Sequence, residues 1–171
     1  SVGTTDLLMP LNIGFIKAYA VKEHGASVDI ALFKDPKKLL VRIAKERPEI
    51  IGFSNYGWNE NLNLNIGKYV RRVLPGSLII AGGPNIPTES DGQLTYLKRH
   101  DYVDFLIVDG GELPFSGMID WWRKSRGNLS QLPCNLIWRE GDAIRKTDAQ
   151  PPKKNLDFIP SPYLGGHLDE F

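Results

Sequence analysis

One cysteine and three histidines in 171 residues leave little for metal chemistry. The single thiol, Cys134, excludes an internal disulfide and any cysteine-only metal site. The histidines, His24, His100 and His167, fall at helix ends or in the tail, and no pair has metal-ligand spacing. His24 is expected to face solvent near a helix end. No apolar run approaches the length of a membrane span, and no signal peptide is visible, so the default expectation is a cytoplasmic protein without a membrane partner. A basic excess is also missing. Net charge is +1 with both signs spread along the chain, which argues against a nucleic-acid partner. The densest basic runs, Arg71-Arg72 and Arg123-Lys124, sit where helices should end and complement the helix dipole there. The phosphate motif ending in Gly-Lys-Ser/Thr, the Gly-x-Gly-x-x-Gly turn and the Gly-x-Ser-x-Gly elbow are all absent.

What is present is an ordinary globular composition, 42% hydrophobic and 24% charged, in a length suited to one domain. Helical and strand patterns alternate. Pro10 to His24 reads as a helix, started by Pro10 and ended by Gly25. Val28, Ile30 and Leu32 alternate as a strand would. Asp35-Pro36 starts a second helix that Pro48 closes. Ile50–Ser54 and Leu78–Gly82 are short apolar runs, as expected of strands buried on both faces. Between them Leu62, Ile66, Tyr69, Val70 and Val73 mark a helix. A weaker helix covers Asp91 to Arg99, Val103–Val108 is a further strand, and Phe115, Met118, Ile119 and Trp122 mark another helix face. Short connections between such elements imply right-handed crossovers. The expected fold is therefore α/β, a flavodoxin-like (Rossmann-like) doubly wound, mainly parallel sheet with helices on both faces.

This α/β domain is expected over residues 1–127. "CNLIW" and "AIRK", flanking Glu140-Gly141-Asp142, read as a hairpin extension over residues 128–148, and the proline-rich tail over 149–171 as a linker. "SVGTTDLLM" is a poor strand, of which only Ser1-Val2 could belong to a strand end, so the expected first strand is not evident and the chain reads as opening inside a longer one.

Ligands of open parallel sheets lie beyond the carboxyl ends of the strands. That rule selects Ser54-Asn55-Tyr56-Gly57-Trp58, Gly82-Gly83-Pro84-Asn85 and Asp109-Gly110-Gly111-Glu112. Ser54 and Asn55 offer small polar groups, and Tyr56 and Trp58 flat apolar faces. Gly82, Gly83, Gly110 and Gly111 allow a ligand close to the backbone. Glu112 stands near a helix N-terminus, where its charge is favoured. No lysine or arginine lies in the three segments, so a large, amide-rich, mostly neutral ligand suits them better than a polyphosphate. Alone, the Gly-Gly-Pro turn reads as a tight bend; the three segments together favour a ligand site. On that reading Gly83→Val abolishes ligand retention and leaves the domain folded.

These segments resemble a known family. "GFSNYGWNENLNLNIGKYVRRVLPGSLIIAGGPN" is similar to the middle of cobalamin-binding domains at the N-terminus of radical S-adenosylmethionine enzymes. Members carry a serine at one strand end (here Ser54) and a Gly-Gly-Pro-His or similar turn after the next, here Gly82-Gly83-Pro84-Asn85. A Gly-Glu-Gly-Glu-like segment follows, here Asp109-Gly110-Gly111-Glu112. "MPLNIGFIKAY" is similar to the family's Pro-Leu-Gly helix, and "NLDFIPSPYL" to its link into the radical domain. Asn85 and Asp109-Gly110 depart from the commoner residues. The Asp-x-His-x-x-Gly motif of other cobalamin domains is absent, which implies a cobalamin without a histidine below the cobalt.

The resemblance implies a cobalamin-binding module whose cofactor contacts are drawn from Ser54, Asn55, Tyr56, Trp58, Gly82, Gly83, Pro84, Asn85, Gly110, Gly111 and Glu112. It implies that the full protein adds a C-terminal radical domain in the same polypeptide. That domain would hold a [4Fe–4S] cluster and S-adenosylmethionine and act as a methyltransferase; with one cysteine, this chain cannot build such a cluster. A cofactor-free docking module with the same fold is the alternative. A signalling receiver is weaker, because no acidic cluster follows the first visible strand.

Overall fold

A computed structural model describes residues 9–151, 153 and 155–171. The expectation for Ser1-Val2 lies outside them. Among the described residues five α-helices, two short 3-10 turns and five strands form a three-layer α/β body. The strands are β1 (Ile50–Ser54), β2 (Leu78–Gly82), β3 (Phe105–Ile107), β4 (Leu136–Glu140) and β5 (Ala143–Lys146), hydrogen-bonded in chain order. β1, β2 and β3 are parallel, while β4 runs antiparallel to β3 and β5 to β4. The hairpin read from "CNLIW" and "AIRK" is therefore part of the same sheet.

The helices are α1 (Leu11–His24), α2 (Pro36–Glu46), α3 (Glu60–Val73), α4 (Ser90–Arg99) and α5 (Glu112–Lys124). α2, α3 and α4 cover one sheet face, where Ile43, Ile66, Val70 and Leu97 pack on Ile51, Phe53, Ile79 and Leu106. α5 covers the other, with Met118 and Trp121 against Leu78, Ile80, Phe105 and Leu136. Helix boundaries follow local chemistry. Asp35 caps α2 by accepting the Lys37 N–H at 2.8 Å, with Pro36 in the first turn. Gly25 ends α1 at φ 56°.

The strand expected at Val28–Leu32 is not formed. Exposure alternates there as in a strand and Leu32 is buried, but no described strand lies alongside to supply a ladder, and hydrogen bonding rather than side-chain pattern makes a strand. His24 also departs from expectation. It is half-buried, with Nε2 2.9 Å from Ser116 Oγ on α5.

α1 packs on α5 and is covered on its other side by the tail. The tail has turns and no helix or strand, yet Pro162 and Leu168 are buried, both against Gly14 of α1. The Phe158 ring meets Tyr19 edge-on at 5.8 Å, and its carbonyl accepts Lys22 Nζ at 2.6 Å. A helix packed on two sides needs a wide apolar surface, and Ile13, Phe15, Ile16, Ala18, Tyr19, Ala20 and Val21 of α1 are all at least half-buried.

Candidate functional site

The sheet register brings the three candidate segments to one level. Ser54 pairs with Gly82, and Gly82 with Ile107, so β1, β2 and β3 end side by side. The loops that leave them start at one edge.

Amides knit this edge together. The Asn55 N–H donates to the Gly82 carbonyl at 2.7 Å, and the Asn55 carbonyl accepts the Asn85 N–H at 3.2 Å. Asn55 is fully buried, and its side chain donates to the Tyr96 hydroxyl at 2.6 Å and accepts from Asn63 Nδ2 at 2.5 Å. Burial raises the Tyr96 phenol above its usual range, with Glu60 adding to the effect, so that hydroxyl stays protonated. The Ser54 carbonyl accepts from both Asn59 Nδ2 and Asn63 Nδ2, at 2.9 and 3.1 Å. Asn59 Oδ1 in turn accepts the Tyr56 N–H at 2.8 Å. Asn85 donates to Glu60 Oε2 at 2.8 Å, at the start of α3, and Glu60 Oε1 lies 3.0 Å from Arg99.

The expected site residues therefore divide. Asn55 is turned inward and spent on the fold. Asn85 braces the turn against α3. Gly83 holds φ 115°, and a Cβ there would lie 2.5 Å from the Asn55 carbonyl oxygen. Its glycine is required by the protein's own backbone, which overturns the expectation that Gly83→Val spares the fold. Gly82 differs, because a Cβ there would meet the Ile107 carbonyl at 3.4 Å and the Ile107 Cβ at 3.8 Å, both ordinary contacts. Gly110 is exposed, with Glu112 Oε2 the nearest group to such an atom at 3.5 Å. Gly111 packs against Ile16 of α1 as α5 begins, and Glu112 is the first residue of α5. Asp109 adopts φ 59°, a left-handed turn uncommon for a side-chain-bearing residue. Pro84 is exposed. Tyr56 and Trp58 stack at 4.4 Å with ring planes 16° apart, and Trp58 remains 69% exposed.

Asn12 was not among the expected residues. Its Nδ2 donates to Ser54 Oγ at 2.9 Å and to the Tyr56 hydroxyl at 2.6 Å. One turn later Ile16 meets Gly111, so α1 bridges the first and third segments. The available signal was an amide in the otherwise apolar start Leu11-Asn12-Ile13. Asn63 was equally legible, as a poor helix former sharing the buried face of Ile66 and Val70.

No group of three or more histidine, cysteine, aspartate or glutamate residues among those described could hold a metal ion. No described helix is long and apolar enough to cross a membrane.

No family model matches the chain. Curated relatives do. The chain is 27% identical over 168 residues to the cobalamin-dependent radical SAM methyltransferase TokK of Streptomyces tokunonensis, covering 94% of this chain and 24% of that protein. It is 25% identical over 166 residues to 2-(S-pantetheinyl)-carbapenam-3-carboxylate methyltransferase of Streptantibioticus cattleyicolor, again over 94% of this chain and 24% of the relative. The chain thus spans about a quarter of the length of these relatives. The family resemblance carried by Ser54, the Gly-Gly-Pro-Asn turn and Asp109–Glu112 agrees with that similarity, which runs along almost the whole of this chain.

Proposed function

We propose that this chain is the cobalamin-binding module of a radical S-adenosylmethionine methyltransferase. The observation that carries the reading is the level edge of Ser54, Gly82 and Ile107, from which the three glycine- and aromatic-bearing loops leave together. The residues at that edge fit a large neutral ligand. Gly82 and Gly110 leave room against the backbone, Tyr56 and Trp58 form a flat apolar wall, and the three segments carry no lysine or arginine. Bound cobalamin would supply a cobalt centre able to carry a methyl group. The chain's own part is to bind and orient it, and Tyr56 or Trp58 would pack near it. No histidine belongs to the three segments, and His24 and His100 are held by Ser116 and by the α4 core, so the residues that would hold the cofactor are amides, hydroxyls and aromatic rings rather than imidazoles.

We read the fold as flavodoxin-like, from the parallel β1, β2 and β3 joined by helices on both sheet faces. The [4Fe–4S] cluster, S-adenosylmethionine and the methyl acceptor belong on this reading to a radical domain of the same polypeptide, as the shared quarter of its relatives' length suggests.

The test is to reconstitute the longer protein with hydroxocobalamin, desalt it and record the visible spectrum. Corrin absorbance should travel with the protein and show no histidine-ligated form. A protein that emerges colourless rules the carrier reading out and leaves the docking module.

A further inference from the structure

The bridge from α1 to β1 has a polarity that points outward. Asn12 Nδ2 has two hydrogens, and it donates one each to Ser54 Oγ and the Tyr56 hydroxyl, at 2.9 and 2.6 Å. Both hydroxyls act as acceptors toward Asn12, which leaves their protons free to point away from it. Asn12 Oδ1 accepts no bond among the described residues. Asn12 is exposed while Ser54 and Tyr56 are half-buried, so the cluster meets solvent at the crevice rim. Two O–H donors and one amide acceptor thus converge from two elements far apart in sequence. A primary carboxamide carries the complementary set, a carbonyl acceptor and an NH2 donor.

We propose that Asn12, Ser54 and Tyr56 form a subsite for a peripheral carboxamide of the bound ligand, with Asn12 as the residue that fixes its polarity. The inference rests on the cobalamin reading, since the corrin rim is lined with such carboxamides. It adds a residue outside the three loops and assigns each group a direction. Ser54 and Tyr56 donate to the ligand carbonyl, and Asn12 Oδ1 accepts from the ligand NH2. The Tyr56 ring stays stacked on Trp58, so the hydroxyl is held in place before the ligand arrives.

Retention of hydroxocobalamin by the longer protein tests this, measured by equilibrium dialysis with visible absorbance. Asn12→Ala and Tyr56→Phe should each weaken binding roughly threefold to tenfold, the scale of one hydrogen bond. Asn12→Asp separates a ligand role from a structural one. Its carboxylate keeps the bridge but draws both hydroxyl protons inward, so binding should fall as far as in Asn12→Ala. A merely structural bridge would leave it unchanged. Corrin monocarboxylates, each with one carboxamide exchanged for a carboxylate, supply the ligand side. At least one should bind the parent protein less well than hydroxocobalamin, and the gap should close in Asn12→Ala. Circular dichroism checks that the variants fold. Native retention by all three variants overturns the subsite and leaves the carrier reading standing. No retention by the parent protein removes both.

Discussion

A Cβ atom on Gly83 would stand 2.5 Å from the carbonyl oxygen of Asn55, inside any real contact of that kind. The turn after β2 and the first residue beyond β1 therefore share space that only a hydrogen atom can occupy. Gly83→Ala should destabilise the cofactor-free protein by about 2 kcal/mol or more, from φ strain and the clash together. Gly82→Ala should cost well under that in a urea melt. Equal midpoints for the two variants would refute the distinction.

Gly67 meets the Tyr102 ring in the same way, where α3 crosses the segment before β3. Tyr102 is buried and edge-on to Phe53 at 5.8 Å, so it has little room to retreat. Gly67→Ala should cost about 1–3 kcal/mol by overpacking. Pairing it with Tyr102→Leu should cost less than the sum of the two single changes, as a thermal double-mutant cycle would read.

His100 gives the fold a pH dependence. Burial lowers its pKa below the ordinary histidine value, against an opposing pull from Glu60, whose Oε1 lies 3.7 Å from Nε2. The folded protein therefore binds this proton less readily than the unfolded chain. Stability from this group is present above the ordinary value of about 6.5 and is lost as pH falls from there toward the depressed folded value. Urea midpoints across that window should drop in the native chain and flatten in His100→Asn. An unchanged slope in the variant would assign the effect elsewhere.

Leu168 anchors the tail on Gly14 of α1 and is 2% exposed. Leu168→Ala should cost about 2–4 kcal/mol if the site cannot collapse. Amide exchange in α1 should rise more than in α3, because Leu168 and Pro162 pack on Gly14 of α1. Uniform acceleration across all helices would mean that the anchor serves the whole body.

Much of this was legible in the residues. β1 and β2 were plain apolar runs, Asp35-Pro36 and Gly25 marked helix ends, and the carboxyl-end rule picked three segments that the register brings to one edge of the sheet. What escaped detection was nonlocal. The alternation at Val28–Leu32 was read as a strand, because side-chain pattern says nothing about whether a ladder partner is present. "CNLIW" and "AIRK" were read as a hairpin, but nothing in them says that β4 pairs with β3. That Gly83→Val would spare the fold was the wrong expectation, because the contact of Gly83 with Asn55 exists only after folding. Asn12 drew no notice, because its bonds to Ser54 and Tyr56 join residues more than forty positions apart.

The edge beyond β1 and β2 is tied by Asn12, Asn55, Asn59, Asn63 and Asn85, and among the described residues charge joins this network through Glu60 and its partner Arg99. Amide bonds are not screened by dissolved ions as charge pairs are. The shape of this edge should therefore hold from dilute buffer to molar salt, and a neutral ligand seated on it should be retained through washes that strip ionic complexes.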